Sequence, residues 1–476
     1  MRDIANDNVK TINRIVILEL GGGSGRFAYQ LIRALLRLTD GLIPNSLPSF
    51  YYLMTDISKS IVNTWHNQPK LKQLIEKGIL ELAVLDVKSP QKAELVVSKK
   101  PLKTFINGNP VVVVANYVFS VYVDTFRVED NKLHEIKVGV NVDDYLPELV
   151  GSKEVFRKIQ FNQQQLPIIL PYYKESIFNA ILKEYKEELT ASTFQFPVTT
   201  LRNLELLKKL SKGRLFLLIS DMAESNINHL EGRDSLPMYL NGPFASYVNI
   251  DAFARWTNYK SGVVLIPTTP SRHFDTYAFV LGQGGECIET SLAFENCTGM
   301  CGSGARLASI RRASKQQEKP YTPCELIGLL HSSHLDLFLI KPLIGPLLTA
   351  AAIANRDERN ALLAAIEKCW DNYYLLGAND DIDYDIGRVL MVLKEPEKAL
   401  KFFFHSLENY GPHHSTLYRI GRCYEHLDDL INALSYHRRS LKQKHTTRAK
   451  KQVDRLIAAL ENESGDNHNA LSKTIG

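Results

Sequence analysis

The stretch Ile15-Val-Ile-Leu-Glu-Leu-Gly-Gly-Gly-Ser-Gly25 joins an apolar, β-branched run to a glycine-rich loop. The apolar run predicts a buried strand of a parallel sheet. RFAYQLIRALLRL, which begins at Arg26, carries apolar residues at helical spacing. Glycine lets the backbone turn sharply beside a ligand, and the first amides of a helix favour a negative group. A strand, a glycine loop and a helix in this order predict an α/β fold with a small-molecule site.

Three known glycine patterns can be compared with this loop. The phosphate loop of nucleoside triphosphatases ends in GK[ST], and GSGRF lacks that ending. The dinucleotide pattern GxGxxG would place Arg26 or Phe27 where its third glycine belongs, which leaves an oxidoreductase as a weaker alternative. The pattern ExGxGxG fits, and it resembles motif I of class I methyltransferases that use S-adenosylmethionine (SAM). Its residues here are Glu19, Gly21, Gly23 and Gly25.

Polar residues also end the next three predicted strands. SFYYLMTD ends at Asp56, the strand in ILELAVLDV ends at Asp86, and the strand in VVVVANYVFS ends at Asn116. Ligands of such folds bind outside the carboxyl ends of the strands, where Asp56 could accept ribose hydroxyls. Each residue also has a purely structural alternative. Asp56 could cap a helix predicted over about 59–77, Asp86 could belong to a turn, and Asn116 could bond to backbone groups at the strand end. A buried carboxylate at Glu19 needs a partner.

Three blocks in this order resemble the MidA-like family of SAM-dependent methyltransferases, which includes protein-arginine methyltransferases. They are LELGGGSGRFAYQL, YYLMTDISKSIVNTWHNQPKLKQLIEKG and VVVVANYVFSVYVDTFRVEDNKLHEIKVGV. The resemblance covers roughly residues 12–145 and continues more weakly through GRLFLLISDMAES and ASYVNIDAFARW. It implies a Rossmann-like sheet of seven strands and SAM as cofactor. By resemblance, the methionine part lies on Glu19, Gly21, Gly23 and Gly25, the ribose on Asp56, the adenine on Asp86, and the methyl group beside the catalytic Asn116 and Tyr117.

The segment after Asn116 departs from the family pattern NExxDxxP. Tyr117, Ser120 and Tyr122 stand at its Glu, Asp and Pro positions. A carboxylate there would orient an arginine guanidinium. Its loss predicts another acceptor, a relocated base such as Asp124 or Asp221, or a weak or inactive enzyme that works as a scaffold. The favoured interpretation is methyl transfer to a protein side chain, with arginine suggested by the resemblance only.

The cover of this site is expected from a later segment. Family members carry an N-terminal helical segment, whereas only MRDIANDNVKTI precedes the first strand here. Within 151–212, FRKIQFNQQQLPIILPYYKESIFNAILKEYKEEL predicts two helices broken by Pro167 and Pro171. We interpret this insertion as a substrate lid or acceptor platform, with a functionless embellishment as the alternative. The methyltransferase domain is predicted over residues 1–283.

The C-terminal part repeats itself between Asp383 and Lys442. YDIGRVLMVLKEPEKALKFFFHSL is followed, 34 residues later, by LYRIGRCYEHLDDLINALSYHRRSL, and this is the period of tetratricopeptide repeats (TPRs). NALLAAIEKCWDNYYLL suggests a third, degenerate unit, and RAKKQVDRLIAAL a terminal cap. A TPR-like domain over 351–461 would recruit a protein substrate or scaffold; a solubilising appendage is the alternative. Pairs of small residues at this spacing let the helices pack closely: Gly387 and Gly421, Ala399 and Ala433, Ser406 and Ser440.

Residues 284–350 are predicted to form a loop and helical connection. Cysteines and histidines in this region suggest a metal site, but one CxxxC without a second close pair does not match zinc-ligand spacing, so we expect no metal. LIGLLHSSHLDLFLIKPLIGPLLTAAAI predicts apolar helices that dock the repeats onto the enzyme core. The candidate ligands are Cys287, Cys297, Cys301, His331 and His334.

Composition agrees with a globular protein of two or three domains. The chain has 476 residues, of which 45% are hydrophobic and 23% charged. A net charge of +5, without aromatic residues among the basic ones, argues against nucleic acid. Six cysteines without a disulfide pattern, and an N-terminus without an apolar or Arg-rich signal, predict a cytoplasmic location. LIKPLIGPLLTAAAIA is too short for membrane insertion, and the polar tail 462–476 is expected to be disordered.

Overall fold

The chain divides into two compact units, Met1–Arg306 and Leu307–Gly476. The structure is a computed structural model. It describes residues 14–42, 49–142, 159–234, 239–240, 244–271, 273–282, 287–299, 302–315, 320–333, 335–336, 341–374 and 381–473.

Strands occur in the first unit. In chain order they are β1 (Ile15–Leu20), β2 (Phe50–Asp56), β3 (Leu80–Val84), β4 (Glu94–Leu95), β5 (Val111–Asn116), β6 (Asp124–Glu129), β7 (Lys132–Val142), β8 (Ile159–Ile168), β9 (Ser192–Phe196), β10 (Leu215–Asp221), β11 (Ala223–Glu224), β12 (Tyr239–Leu240), β13 (Phe244–Ala245), β14 (Val248–Asn249), β15 (Val263–Leu265) and β16 (Asp275–Leu281).

Helices surround the sheets of the first unit and make up the second. They are α1 (Arg26–Leu36), α2 (Lys59–Asn67), α3 (Pro69–Glu76), α4 (Leu102–Ile106), α5 (Ser176–Glu188), α6 (Val198–Leu210), α7 (Ile250–Tyr259), α8 (Ile288–Phe294), α9 (Ser303–Lys315), α10 (Pro323–Ser332), α11 (Ile344–Ile353), α12 (Arg356–Asp371), α13 (Ile382–Val392), α14 (Pro396–Tyr410), α15 (His414–His426), α16 (Leu430–Gln443) and α17 (Thr447–Lys473).

The main sheet has the order β15-β16-β10-β5-β1-β2-β3-β4. Its five central strands, from β3 to β10, are parallel, and β16 runs antiparallel between β10 and β15. Every residue of β1 is buried, as expected for a strand covered on both faces. The chain moves outward from β1 in both directions, so the switch point lies between β1 and β5. We predicted seven strands; in the described residues the sheet has eight, because β4 pairs with the edge of β3.

A second sheet of order β8-β7-β6-β9 shares one hydrophobic core with the main sheet. The prediction of a helix across residues 159–168 is wrong, because this stretch pairs with β7 along its whole length as β8. Pro167 is tolerated because β8 is an edge strand in the described part of the sheet. The second predicted helix is present as α5, and residues 151–158 lie outside the described ranges.

Two helix boundaries also differ from the prediction. The single helix predicted over about 59–77 is divided into α2 and α3, because Pro69 starts a new helix and holds Gln68 in an extended conformation. The last helix, α17, runs to Lys473 and so enters the predicted disordered tail. That segment has no proline and keeps several strong helix formers. Within the described ranges, none of the helices has the length and hydropathy needed to cross a membrane.

In its described residues the second unit consists of helices and their connections, and α10 to α15 contribute to one hydrophobic core. Its repeat glycines sit where two helices touch. A Cβ built on Gly387 would lie 2.6 Å from the Phe403 ring, and one on Gly421 would lie 2.7 Å from the His437 ring. The small residues at the 34-residue spacing therefore permit the close helix packing predicted for them.

Candidate functional site

The glycine loop leaves β1 at the centre of the main sheet and turns through three left-handed residues. Gly21, Gly23 and Gly25 have φ angles of +68°, +52° and +79°, which side chains adopt only with strain. The Gly22 amide donates to the Thr55 carbonyl at 2.8 Å, so the loop is fastened to β2. Gly25 caps α1 without a side-chain hydrogen bond. The first amides of α1 follow directly on the loop, where they can favour an anionic group.

Glu19 is buried beneath this loop, with 2% of its surface exposed. Its partner is Tyr52, whose hydroxyl donates to Oε2 at 3.1 Å. Burial raises the pKa of Glu19 to about 7; the Tyr52 hydrogen bond opposes this rise, and the charge of Asp56 adds to it. The carboxyl is therefore divided between its charged and neutral forms near neutral pH, and a nearby cation would favour the charged form.

Asp56 and Asp86 follow neighbouring strands at the same edge. The Asp56 Oδ1 accepts the Ser58 amide at 2.9 Å, while Ser58 itself provides the N-cap of α2. Capping this helix is therefore not the role of Asp56. Asp86 lies two residues beyond β3, and its Oδ1 accepts the Lys88 amide at 2.8 Å. This contact is typical of the turn that was the alternative role for Asp86. The Leu85 amide donates to the Asp56 carbonyl at 2.9 Å and joins the two strand ends.

Asn116 ends β5 opposite Ser220 of β10. The next residue, Tyr117, has a φ of +55° and donates its amide to the Ser220 carbonyl at 3.1 Å. Its side chain is 58% exposed, and its ring stacks on Phe274 at 5.4 Å between centroids. A left-handed tyrosine is uncommon, and such residues cluster at functional sites. Asn116 and Tyr117 thus lie at the same sheet edge as the glycine loop.

The loop after β5 also reaches the loop after β3. The Lys88 ammonium lies 4.1 Å from the centroid of the Tyr122 ring, within the range of a cation–π contact. Tyr122 is a second left-handed residue, with a φ of +59°, and Ser120 is half-buried. The positions that depart from the family pattern therefore lie between two strand ends of the candidate site.

The two alternative bases differ in their surroundings. Asp221, at the end of β10, is 2% exposed, and burial raises its pKa to about 7 although the amides of Val118 and Phe119 act to lower it. Its Oδ1 also accepts the amide of the following residue at 2.8 Å. Asp124 begins β6 of the second sheet and accepts the Tyr173 hydroxyl at 2.6 Å. Asp221 lies at the candidate edge, and its Oδ2 is buried without a hydrogen-bond partner among the described residues.

Sequence reasoning missed two residues that shape the glycine loop. A Cβ on Gly22 would lie 2.7 Å from Met54 and 3.0 Å from the Trp65 ring, so packing requires a glycine there. The Trp65 indole donates to the Gly23 carbonyl at 2.8 Å across 42 residues of sequence. The unbroken run of three glycines was the available signal for Gly22. No local pattern pointed to Trp65.

The cysteines of the connecting region do not form a metal site with described residues. Among those residues, no group of three or more His, Cys, Asp or Glu side chains could hold a metal ion. Cys287 is buried and Cys297 is exposed. Cys301 and His334 lie outside the described ranges.

Comparison with known proteins gives only distant matches. No protein-family model and no curated protein matches the chain, so the resemblance to MidA-like methyltransferases stays a prediction. Among solved structures, the TPR protein YrrB, which has an unusual peptide-binding site, matches at 15% identity and a TM-score of 0.27, over 37% of this chain and 85% of that one. TTC0263, a thermophilic TPR protein of Thermus thermophilus, matches at 18% identity and a TM-score of 0.20, over 33% of this chain and 91% of that one.

A methyltransferase domain is also among the matched structures. The CMeT domain of the citrinin polyketide synthase matches at 12% identity and a TM-score of 0.27, over 56% of this chain. The match spans 46% of that domain, which is less than half of its length. At TM-scores of 0.27 or lower, these likenesses say nothing about the activity of this chain.

Proposed function

We propose that this chain is a SAM-dependent methyltransferase of the MidA-like type that transfers a methyl group to a protein side chain. One observation carries the proposal. Three left-handed glycines leave the central strand beside a buried carboxylate, at the switch point of a parallel sheet. Folds of this kind bind their ligands at that edge. Glu19 could hold the cationic amino group of the methionine part, and the α1 amides its carboxylate.

The residues present fit this cofactor. A Cβ built on Gly23 would meet nothing nearer than 4.0 Å, so the loop has room for a ligand on its outer side. Asp56 offers a carboxylate, fixed by the Ser58 amide, to the ribose hydroxyls. Asp86 lies at the next strand end and would border the adenine. In these assignments the acidic groups contact hydroxyls, an amine and a sulfonium, and no phosphate. A site of this kind needs no phosphate-loop lysine, and the glycine loop has none.

The chain itself would align the acceptor and exclude water. When bound, SAM supplies an electrophilic methyl group on a sulfonium centre, and few catalytic side chains are then obligatory. Asn116 and Tyr117 border the proposed transfer site, and stacking on Phe274 holds the Tyr117 ring in place. Asp221 would act as a positioning residue, because its buried carboxyl lies close enough to the amides of Val118 and Phe119 for them to act to lower its pKa.

The helical unit gives this enzyme a means of recruiting its acceptor protein. Its repeats resemble peptide-binding arrays in period and in the packing of small residues. Residues 159–212 of the insertion supply β8, α5, β9 and α6, which we assign to an acceptor platform. Arginine is the favoured acceptor by family resemblance alone. A second candidate function is a weak or inactive enzyme that works as a scaffold, and the absence of the family's acids at Tyr117 and Ser120 favours it.

Methyl-labelled SAM separates these candidates. The full chain is incubated with labelled SAM and a lysate, and incorporation into protein is measured beside thermal shifts with SAM, S-adenosylhomocysteine and NAD. We expect a SAM shift and label in discrete protein bands, both lost in Gly23→Arg. A SAM shift without labelled protein would support the scaffold. Stabilisation by NAD instead of SAM would replace the methyltransferase with an oxidoreductase.

A further inference from the structure

The net charge of this chain is concentrated in one part of the helical unit. Residues 411–461 contain ten Lys and Arg against five Asp and Glu, whereas the rest of the chain contains 47 of each. The whole formal charge of +5 therefore comes from this stretch. It folds as α15, α16 and the first part of α17. Such a concentration of one sign of charge favours a partner of the opposite sign.

A cleft of about 180 Å³ opens in this region between α13, α15, α16 and the start of α17. Its walls combine aromatic rings, hydroxyls and basic groups, and no carboxylate lines it among the described residues. Burial, followed by the nearby charges of His413 and Lys444, lowers the pKa of His414. The residues that shape its chemistry are Tyr384, His414, Tyr418, Arg419, Thr446 and Arg448.

Two arginines of the cleft could contact an anionic ligand. Arg419 is half-buried and Arg448 exposed, and within the described ranges neither has an ion-pair partner. One helical turn from Arg419, Arg422 is by contrast paired with Glu425 at 2.8 Å. An unpaired guanidinium can accept a carboxylate in a bidentate contact without first breaking an internal ion pair.

The two tyrosines give the cleft a fixed shape. The Tyr384 ring lies 5.9 Å from the Phe403 ring, and the Tyr418 ring lies 5.1 Å from the His437 ring, measured between centroids. Both Phe403 and His437 are fully buried in their helix pairs. Since these rings are already packed, they suit contact with a peptide backbone better than the stacking of several exposed bases that single-stranded nucleic acid requires.

We propose that this cleft binds an acidic segment of a protein partner, with Arg419 and Arg448 contacting its carboxylates and the tyrosine rings packing against its backbone. This inference rests on the partner-binding role given above to the helical unit and names the chemistry of that partner. It does not depend on methyl transfer, because every residue involved belongs to the second unit.

Fluorescence anisotropy with the full chain tests the proposal. The probes are a short labelled peptide of Asp and Glu, the same peptide with Asn and Gln, one with Lys, and a single-stranded oligonucleotide of equal charge. The variants are Arg448→Glu, Arg419→Gln and a matched control, Arg438→Glu, whose exposed side chain lies on α16 outside the lining of the cleft. Circular dichroism and the SAM thermal shift are measured for every variant, so a failure of the cleft is distinguished from a failure of the fold or of the methyltransferase proposal.

We expect the acidic peptide alone to bind. Arg448→Glu and Arg419→Gln should each weaken it about tenfold or more, the loss expected for one charge-assisted contact. Arg438→Glu should change the affinity about twofold at most, because its charge lies outside the cleft. Equal losses in Arg448→Glu and Arg438→Glu would overturn the site in favour of general charge attraction. Preferential binding of the oligonucleotide, or no binding of the acidic peptide by the wild-type chain, would also overturn it.

Discussion

Replacing Gly23 with alanine should separate ligand binding from folding in the glycine loop. Gly23 is exposed, and an added Cβ would have its nearest neighbour, the Gly21 carbonyl oxygen, 4.0 Å away. The substitution therefore causes no steric clash within the protein. Its cost arises from the φ of +52°, which alanine adopts only with strain.

The expected loss of stability follows from two opposing effects. A left-handed backbone costs a non-glycine residue about 1–2 kcal/mol, and the less flexible unfolded chain returns about 0.4–1 kcal/mol. The net change in the free energy of unfolding is about 1 kcal/mol, or about 2–4 °C in the Tm of a domain of this size. Saturating SAM should raise the wild-type Tm by roughly 5–10 °C. Gly23→Ala should lose most of that rise, because its methyl group occupies the proposed ligand side of the loop.

Gly78→Ala is the matched control. Gly78 lies in the exposed turn between α3 and β3, has a φ of +68°, and would place a Cβ with nothing within 4 Å. It therefore carries the same backbone strain away from the candidate site. Differential scanning fluorimetry of both variants, with and without SAM, should give similar unliganded Tm values but a full SAM shift only for Gly78→Ala.

Two results would refute this reasoning. A full SAM shift in Gly23→Ala would mean that the outer side of the loop does not contact the cofactor. An equal loss of the shift in both variants would mean that strain, rather than the position of the added methyl group, controls binding.

Further predictions concern the repeats, the buried carboxyl and the transfer site. Gly387→Ala should destabilise the helical unit by about 1–3 kcal/mol in urea unfolding, because its Cβ would lie 2.6 Å from the Phe403 ring. Gly328→Ala, which has open space around it on α10, should instead stabilise the unit by up to about 1 kcal/mol. Equal effects of the two substitutions would contradict the packing argument. The folded state raises the pKa of Glu19 from 4.5 to about 7, so its contribution to the stability of the unliganded protein is complete below pH 4.5 and lost as the pH rises through 7. Glu19→Gln should remove part of that decline in urea unfolding across this pH range, and an unchanged slope would mean that the carboxyl is not buried in solution. Tyr117→Ala should keep the SAM thermal shift while lowering labelled methyl incorporation at least tenfold, the effect of losing orientation at the transfer site; unchanged incorporation would remove this residue from the site.

Local sequence patterns predicted the parts of the fold that depend on neighbours in the chain. The apolar run of β1, the glycines after it and the helical spacing from Arg26 are all short-range features. The repeats are equally visible, since a fixed period places Gly387 and Gly421 at equivalent helix contacts. Pro69 was also a local signal, and the boundary that it makes between α2 and α3 could have been predicted.

Long-range pairing explains what the sequence did not show. The Gln-rich sequence of β8 has no clear hydrophobic periodicity. It becomes a strand because it pairs with β7 at ten register positions. Secondary-structure propensity is a weak predictor where tertiary contacts decide. A long-range contact also shapes the glycine loop, because Trp65, 42 residues away, donates a hydrogen bond to the Gly23 carbonyl. The motif identified the loop, whereas its rigidity depends on residues outside the motif.

Asp221 lies close to the loop after β5, which lacks the acids expected from the family pattern. Its carboxyl is buried at the end of β10, where Oδ1 accepts the Met222 amide at 2.8 Å and Oδ2 has no hydrogen-bond partner among the described residues. The amides of Val118 and Phe119 act to lower its pKa, so the carboxyl lies close to the backbone beside Tyr117, while the unpartnered Oδ2 remains able to accept a proton. Because Tyr117 and Ser120 replace the acids of the family pattern, Asp221 is the carboxyl at this strand end that could receive the acceptor proton.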